Sequence, residues 1–244
     1  MTGADTGIGR AIARRLLEEG WALAYATRRR DTGARETYES LAACGTVHWV
    51  AGDLADPEVP ARLVAEAREA LGSVDALVNN AGITVSLPAL AGTAEDFDRI
   101  FAIDVRAAFL LARAAASGML ERGGAIVNVT SVHEHVPRPG FALYAAAKAA
   151  LGMLSRGLAL ELAPFGVRVN SVAPGVIRTE RVTAADVAAD RVPLGRAGTP
   201  EEVAALVAFL LSDEAGYMTG ASLVIDGGLL QGVVPLPANA EARG

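Results

Sequence analysis

Apolar residues recur along this chain in two alternating rhythms. Compact apolar runs of roughly four to eight positions read as strands buried on both faces. They fall at residues 21–27, 46–51, 76–78, 124–131, 167–172 and Ser222–Ile225. Between them, apolar positions return every three or four residues, the period of a helix packed by one face. Those stretches cover residues 10–19, 57–71, 93 to about 116, and 143–163. Thr93 with Asp96 resembles a capping box. Thr199-Pro200-Glu201-Glu202 is a second helix start, with Thr as cap, Pro in the first turn and Glu202 closing the box. Alternation of strand and helix almost throughout predicts an α/β fold around a parallel sheet. No repeat or linker divides the chain, so residues 1–244 are expected to form one domain. Residues 178–198 lack periodicity and are expected to form a lid, and residues 232–244 a loosely held tail.

The amino terminus departs from this rhythm. Thr2-Gly3-Ala4-Asp5-Thr6-Gly7-Ile8-Gly9 opens the first helical stretch, with almost nothing before it. A strand would be expected to lead into such a glycine turn and to lie centrally in the sheet. Without it, apolar surface and unpaired backbone groups are expected there. The expectation is a truncated chain, or one recorded from the wrong start.

Composition narrows the function. Lys and Arg number 22 against 28 Asp and Glu, a net charge of −6. That balance argues against nucleic acid and anionic membrane as partners. Cys44 is the sole cysteine, so no intrachain disulfide and no cysteine metal cluster is expected. No segment reads as a signal peptide or a bilayer span, and a cytoplasmic setting is the default.

The chemistry gathers on one stretch. Tyr144 and Lys148 are four apart in an Ala-rich helical run, on one face. An ammonium beside a phenol favours the phenolate, and a phenol so tuned can exchange a proton with a substrate oxygen. Ser131 follows the apolar run 125–129, at the carboxyl edge of a strand where α/β proteins bind ligands. Its hydroxyl could hold the same oxygen. His133, Glu134 and His135 come next; no further ligand cluster supports a metal, and Glu134 or His135 is expected near a polar substrate.

A cofactor site would complete this picture. Gly3, Gly7 and Gly9 would let the backbone approach a pyrophosphate held by unpaired N–H groups at the helix start. Arg28, Arg29 and Arg30 follow the strand 21–27. Thr27 stands where an acidic residue would bind the ribose of NAD, and Arg suits the 2′-phosphate of NADP. Asp5 pulls the other way. The expected cofactor is NADP(H), with NAD(H) as the alternative. Asp53 could bond an adenine amino group or simply make a turn. Asn79-Asn80-Ala81-Gly82 could stabilise the sheet and line the cofactor, and Pro174-Gly175 could bring backbone groups against a nicotinamide amide.

Taken in order, the glycine turn, Asn79-Asn80-Ala81-Gly82, Ser131, Tyr144-x-x-x-Lys148 and Pro174-Gly175 resemble the short-chain dehydrogenase/reductase family over residues 2–228. The resemblance implies a doubly wound, Rossmann-type sheet and an oxidoreductase moving hydride between nicotinamide and a carbonyl or secondary alcohol. It implies Tyr144 as general acid/base, Lys148 as its cationic partner and grip on the nicotinamide ribose, and Ser131 as the group orienting the carbonyl. Asp104 stands where the family carries an Asn thought to act largely through its backbone carbonyl, holding a water. Implied cofactor contacts run through Gly3, Asp5, Thr6, Gly7, Ile8, Gly9, Arg28, Arg29, Asp53, Leu54, Asn80, Ala81, Gly82, Tyr144, Lys148, Pro174, Gly175, Val176, Ile177 and Thr179. The family commonly forms tetramers, and the broad apolar faces of the helices at 93–116 and 145–163 suit a homotetramer or a dimer. Within the family, Ser131-Val132-His133-Glu134 is similar to bacterial glucose 1-dehydrogenases. The substrate is expected to be a small molecule: a sugar such as glucose, a 3-oxoacyl thioester or a general ketone. A nucleotide-binding sensor or scaffold without turnover is the alternative.

Overall fold

The computed structural model describes residues 1–28, 31–180 and 191–232. Arg29 and Arg30, much of the expected lid (181–190) and nearly all of the expected tail (233–244) lie outside the described residues. Elements follow in the predicted alternation: α1 Gly7–Glu18, β1 Leu23–Thr27, α2 Thr32–Ala42, β2 Val47–Ala51, α3 Val59–Leu71, β3 Ala76–Asn79, α4 Ala94–Phe101, α5 Ala107–Ala116, β4 Gly124–Val129, α6 Ala142–Leu162, β5 Val167–Pro174, α7 Pro200–Leu211 and β6 Ser222–Ile225. Thr93 and Thr199 cap α4 and α7 through the two predicted boxes.

Every strand pair is parallel. β1 pairs with β2, and β3, β4, β5 and β6 lie side by side in that order. Side chains alternate across a strand, and the two cores follow from that alternation. On one face Val127, Val129, Val78 and Val172 meet Ile12 and Leu16 of α1 and Val203, Val207 and Leu210 of α7. On the other, Ile126, Leu77, Val167 and Val169 meet Val64 of α3, Leu111 and Ala115 of α5, and Leu158 of α6. The two-stranded portion has its own packing, where Tyr25, Leu41, Leu17 and Ala13 close over β1.

Between β1 and β3 the chain has only Met1–Gly3. Thr2 donates its N–H to Val78 O at 3.0 Å, and Gly3 donates to Ala26 O at 2.9 Å. A single bridge, Thr2 with Ala26, joins the two halves. The α-amine of Met1 is buried and donates to Ala24 O at 2.7 Å. Beside it lies a cavity of about 170 Å³, walled by Trp21, Leu23, Val64, Leu71, Leu77 and Leu111 among others. Apolar surface was expected here, beside the glycine turn.

Differences from the predicted bounds have local causes. Trp21 precedes β1, turned back by Gly20 at φ 89°. The long helix at 93–116 is continuous but contains one wide π-type turn, Ala102–Arg106, where the Ala107 N–H reaches back to Ala102 O. Such turns are frequent at functional sites.

Candidate active site

The glycine turn is shaped by near-contact. Gly3 and Gly7 have φ of 68° and 50°, a region side chains disfavour. A Cβ on Gly9 would lie 1.8 Å from Gly3 O, so only glycine fits. Asn80 stitches the turn to the end of β3: its Nδ2 donates to Gly3 O at 2.9 Å and to Thr2 O at 3.2 Å. The N–H groups of Asn80 and Ala81 both donate to the Thr2 hydroxyl. Asn79 points the other way, donating to Asn128 Oδ1 at 2.8 Å, and Asn128 donates to Ser155 on α6 at 2.7 Å. That buried relay ties β3, β4 and α6 together beneath the site.

An open cleft of about 920 Å³ flanks the turn, lined by Asp5, Thr6, Gly7, Arg10, Thr37, Thr179 and Glu180 among others. An anion already stands at the start of α1. Glu180 accepts from the Gly7 N–H at 3.1 Å and pairs with Arg10. Its carboxyl is held below the ordinary range, by its own backbone N–H first; burial, the next largest effect, opposes this, and Arg10 and the Gly7 N–H add to the lowering. A carboxylate accepted at a helix amino terminus shows that the turn suits a negatively charged group. Together with the Gly9 cradle, this fits the pyrophosphate of a dinucleotide.

The other predicted cofactor residues come from several elements. Ile8 is half-buried on α1 against the first core. Arg28 is exposed just past β1. Asp53 caps its own turn, accepting from Ala55 N–H at 3.0 Å, and Leu54 packs inward beside it. Pro174 ends β5, and Gly175 passes so close to Asp226 that a Cβ would meet it at 2.7 Å. Val176 and Ile177 come next, with Ile177 bridged to Gly198, and Thr179 lies against Gly7.

Ser131 stands one residue beyond Thr130 at the end of β4, buried, and its Oγ accepts from His133 N–H at 3.2 Å. Tyr144 sits in the first turn of α6, its ring edge-on to His133 and Phe141. Lys148 lies one turn on, with Nζ 5.6 Å from the centre of the Tyr144 ring. Nζ donates to Val129 O at 3.3 Å and lies 3.2 Å from Asp104 Oδ2. Burial works against the Lys148 charge as the largest single effect, yet the Asp104 carboxylate and then Tyr144 together outweigh it, and its pKa is raised. Asp104 occupies the wide turn and also accepts from the Ile83 N–H at 2.9 Å.

The structure extends the reading at two places. Glu134 or His135 was expected near a polar substrate, and both side chains are engaged by neighbouring protein groups. The Glu134 side chain packs on Gly152, where a Cβ would meet Oε1 at 2.2 Å, and accepts from Arg156 and Ser222; His135 also turns to Ser222. The space left by Gly152 drew the carboxylate into α6, and no pattern in the sequence marks that. The sequence reading also missed Glu180 and Arg10. They are remote in the chain, and only folding brings the two to one helix end.

A family model described as enoyl-(acyl carrier protein) reductase matches residues 3–230. The chain belongs to the short-chain dehydrogenase/reductase family. It is similar to 3beta-hydroxysteroid dehydrogenase 1 of Eggerthella lenta, at 41% identity over 94% of this chain and 92% of the relative. A glucose 1-dehydrogenase of Gluconobacter oxydans is 37% identical over 94% of this chain and 90% of its own length. Among solved structures, acetoin dehydrogenase from Enterobacter cloacae superposes with a TM-score of 0.89 at 37% identity, covering 97% of this chain and 96% of that one. As a short-chain dehydrogenase/reductase the chain is an oxidoreductase acting on CH–OH groups, and the family implies a nicotinamide dinucleotide. Among the described residues no helix is long and apolar enough to cross a membrane, and no group of side chains could hold a metal ion.

Proposed function

We propose that this short-chain dehydrogenase/reductase interconverts a secondary alcohol, or the hydroxyl of a cyclic hemiacetal, with the matching carbonyl, using NADP(H). The observation that carries the reading is Lys148, buried and charged, 5.6 Å from the ring of Tyr144 at the end of the strand that delivers Ser131. When bound, a nicotinamide takes up or supplies the hydride. The chain's part is the proton. In oxidation, Tyr144 removes the hydroxyl proton as the carbon loses hydride and the C=O bond forms. In reduction, it returns that proton to the oxygen. Ser131 holds the substrate oxygen beside the phenol, and Lys148 keeps positive charge next to it.

Support for the substrate class comes from the relatives' names, a hydroxysteroid, glucose and acetoin. These favour a hydroxyl on or beside a compact ring or ketone over a 3-oxoacyl thioester. Support for NADP(H) is Arg28, exposed past β1, with Thr27 in place of an acid. The chain reads as one catalytic domain working in a cytoplasmic setting. A homotetramer or dimer is favoured by apolar side chains left exposed on the helices: Phe97 and Phe109 on α4 and α5, and Met153 and Leu160 on α6. The test is loss of NADPH absorbance with a panel of ketones, hydroxyketones and lactones, and its gain with sugars and sterols. Turnover of none by the folded protein, with either NADPH or NADH, would reject the reading.

A further inference from the structure

We propose that Asp104 is a positioning residue acting through its carboxylate, which fixes the Lys148 ammonium against the loop after β3 and thereby sets the pH range in which proton transfer at Tyr144 operates. The proposal rests on the reading of Tyr144 and Lys148 given above. It differs from the backbone role that the family resemblance implies for this position.

Four observations carry it. The side chain is fully buried, and each of its oxygens faces a different element: Oδ1 the Ile83 N–H at 2.9 Å, Oδ2 the Lys148 ammonium at 3.2 Å. Oδ2 has no well-directed hydrogen bond, so charge is what holds that side of the pair. Gly82 packs on both partners, since a Cβ there would stand 3.0 Å from Oδ2 and 3.1 Å from Nζ. Finally, the wide turn at Ala102–Arg106 aims the side chain. One residue more or fewer in a helix rotates all later positions by roughly 100°. A regular helix through these residues would therefore change where Asp104 stands relative to Lys148 and Ile83.

The electrostatic consequence comes from the charges around Tyr144. Among the described residues, Lys148 faces it from α6, and His133 faces it from the turn after Ser131. Arg138 is stacked on the adjoining Phe141. Glu134 is committed to Arg156 and Ser222. The loop from Asn80 to Gly92 carries no charged residue. Asp104 is thus the carboxylate that offsets Lys148. With it the pair is neutral beside the phenol, and with an amide in its place a bare ammonium remains. An unopposed cation favours the phenolate.

Asp104→Asn separates charge from shape, because the amide oxygen still accepts from Ile83. The expected result is an acid limb of the oxidative kcat/KM profile moved down by roughly one pH unit, with dinucleotide affinity, read by NADPH fluorescence, unchanged. A second readout needs no cofactor. Lys148 gains its charge stabilisation in the fold, so that contribution is complete below the unfolded pKa and disappears as pH rises through the higher folded one. The alkaline fall in melting temperature should therefore begin at lower pH in Asp104→Asn than in the parent. A parental pH profile together with a parental alkaline melt would overturn the proposal. Should Asp104→Asn not fold, Asp104→Leu combined with Lys148→Met decides: recovery of a cooperative melt supports a charge role, and failure of the double variant reduces Asp104 to packing. Tyr144→Phe keeps the two readings apart. Full turnover in that variant defeats the catalytic assignment itself, whereas its inactivity beside a parental Asp104→Asn defeats only this inference.

Discussion

Two ion pairs stand at opposite ends of the glycine-lined region, and they are built differently. Asp104 and Lys148 are 0% and 4% exposed, while Arg10 and Glu180 are 45% and 49% exposed. The first pair joins a wide helical turn, a loop and a second helix. The second joins one helix start to the segment after β5. A buried pair cannot be half removed cheaply, because the remaining charge loses its partner in a poor solvent. An exposed pair exchanges freely with water and contributes little. The pair at Lys148 is therefore fixed by the fold itself, while the start of α1 is occupied by a contact that a phosphate could replace.

The comparison can be broken in order of expected effect. Tyr144→Phe should lower kcat by about 10²–10⁴-fold, the usual share of a general acid/base, with NADPH binding retained; steady-state kinetics beside fluorescence titration measures both. Asp104→Leu alone should destabilise the fold by about 3–5 kcal/mol, read from denaturant midpoints, because it strands the Lys148 ammonium. Gly9→Ala forces the glycine turn open against Gly3 O and should cost about 1–3 kcal/mol, together with weaker dinucleotide binding in calorimetry. Glu180→Gln belongs at the bottom, with less than about 1 kcal/mol of stability change and slightly tighter NADPH binding. Its sign with pH is also set. The Glu180 carboxyl is depressed in the fold, so its small contribution is present above the unfolded pKa and fades as pH falls through the folded one. Parent and variant melts should converge in acid. A large stability loss in Glu180→Gln would erase the contrast between the two ends.

Much of the architecture was readable because local rules and global fold agree. The apolar runs became strands within two or three residues of their predicted ends, and both capping boxes formed, since each needs only residues three apart. The expected placement of Ser131 at a strand end, and of Tyr144 and Lys148 one helical turn apart, was readable for the same reason. The partnership of Asp104 with Lys148 was not readable. The residues are 44 apart in sequence, and the wide turn that aligns them carries no Pro or Gly to announce it. The partners of Glu134, Arg156 and Ser222, were not readable either, because a short loop fixes position but not direction. The cavity beside Met1 lies where apolar surface was expected next to the glycine turn.

By itself the sequence determined the order of elements, the faces they bury and the family of chemistry, because hydrophobic period, caps and glycine turns act over a few residues. Only the tertiary structure decided which charges meet: Lys148 with Asp104, Arg10 with Glu180, Glu134 with Arg156. Electrostatic partnership depends on distance in space and on the exclusion of water, and a chain acquires both only when it packs.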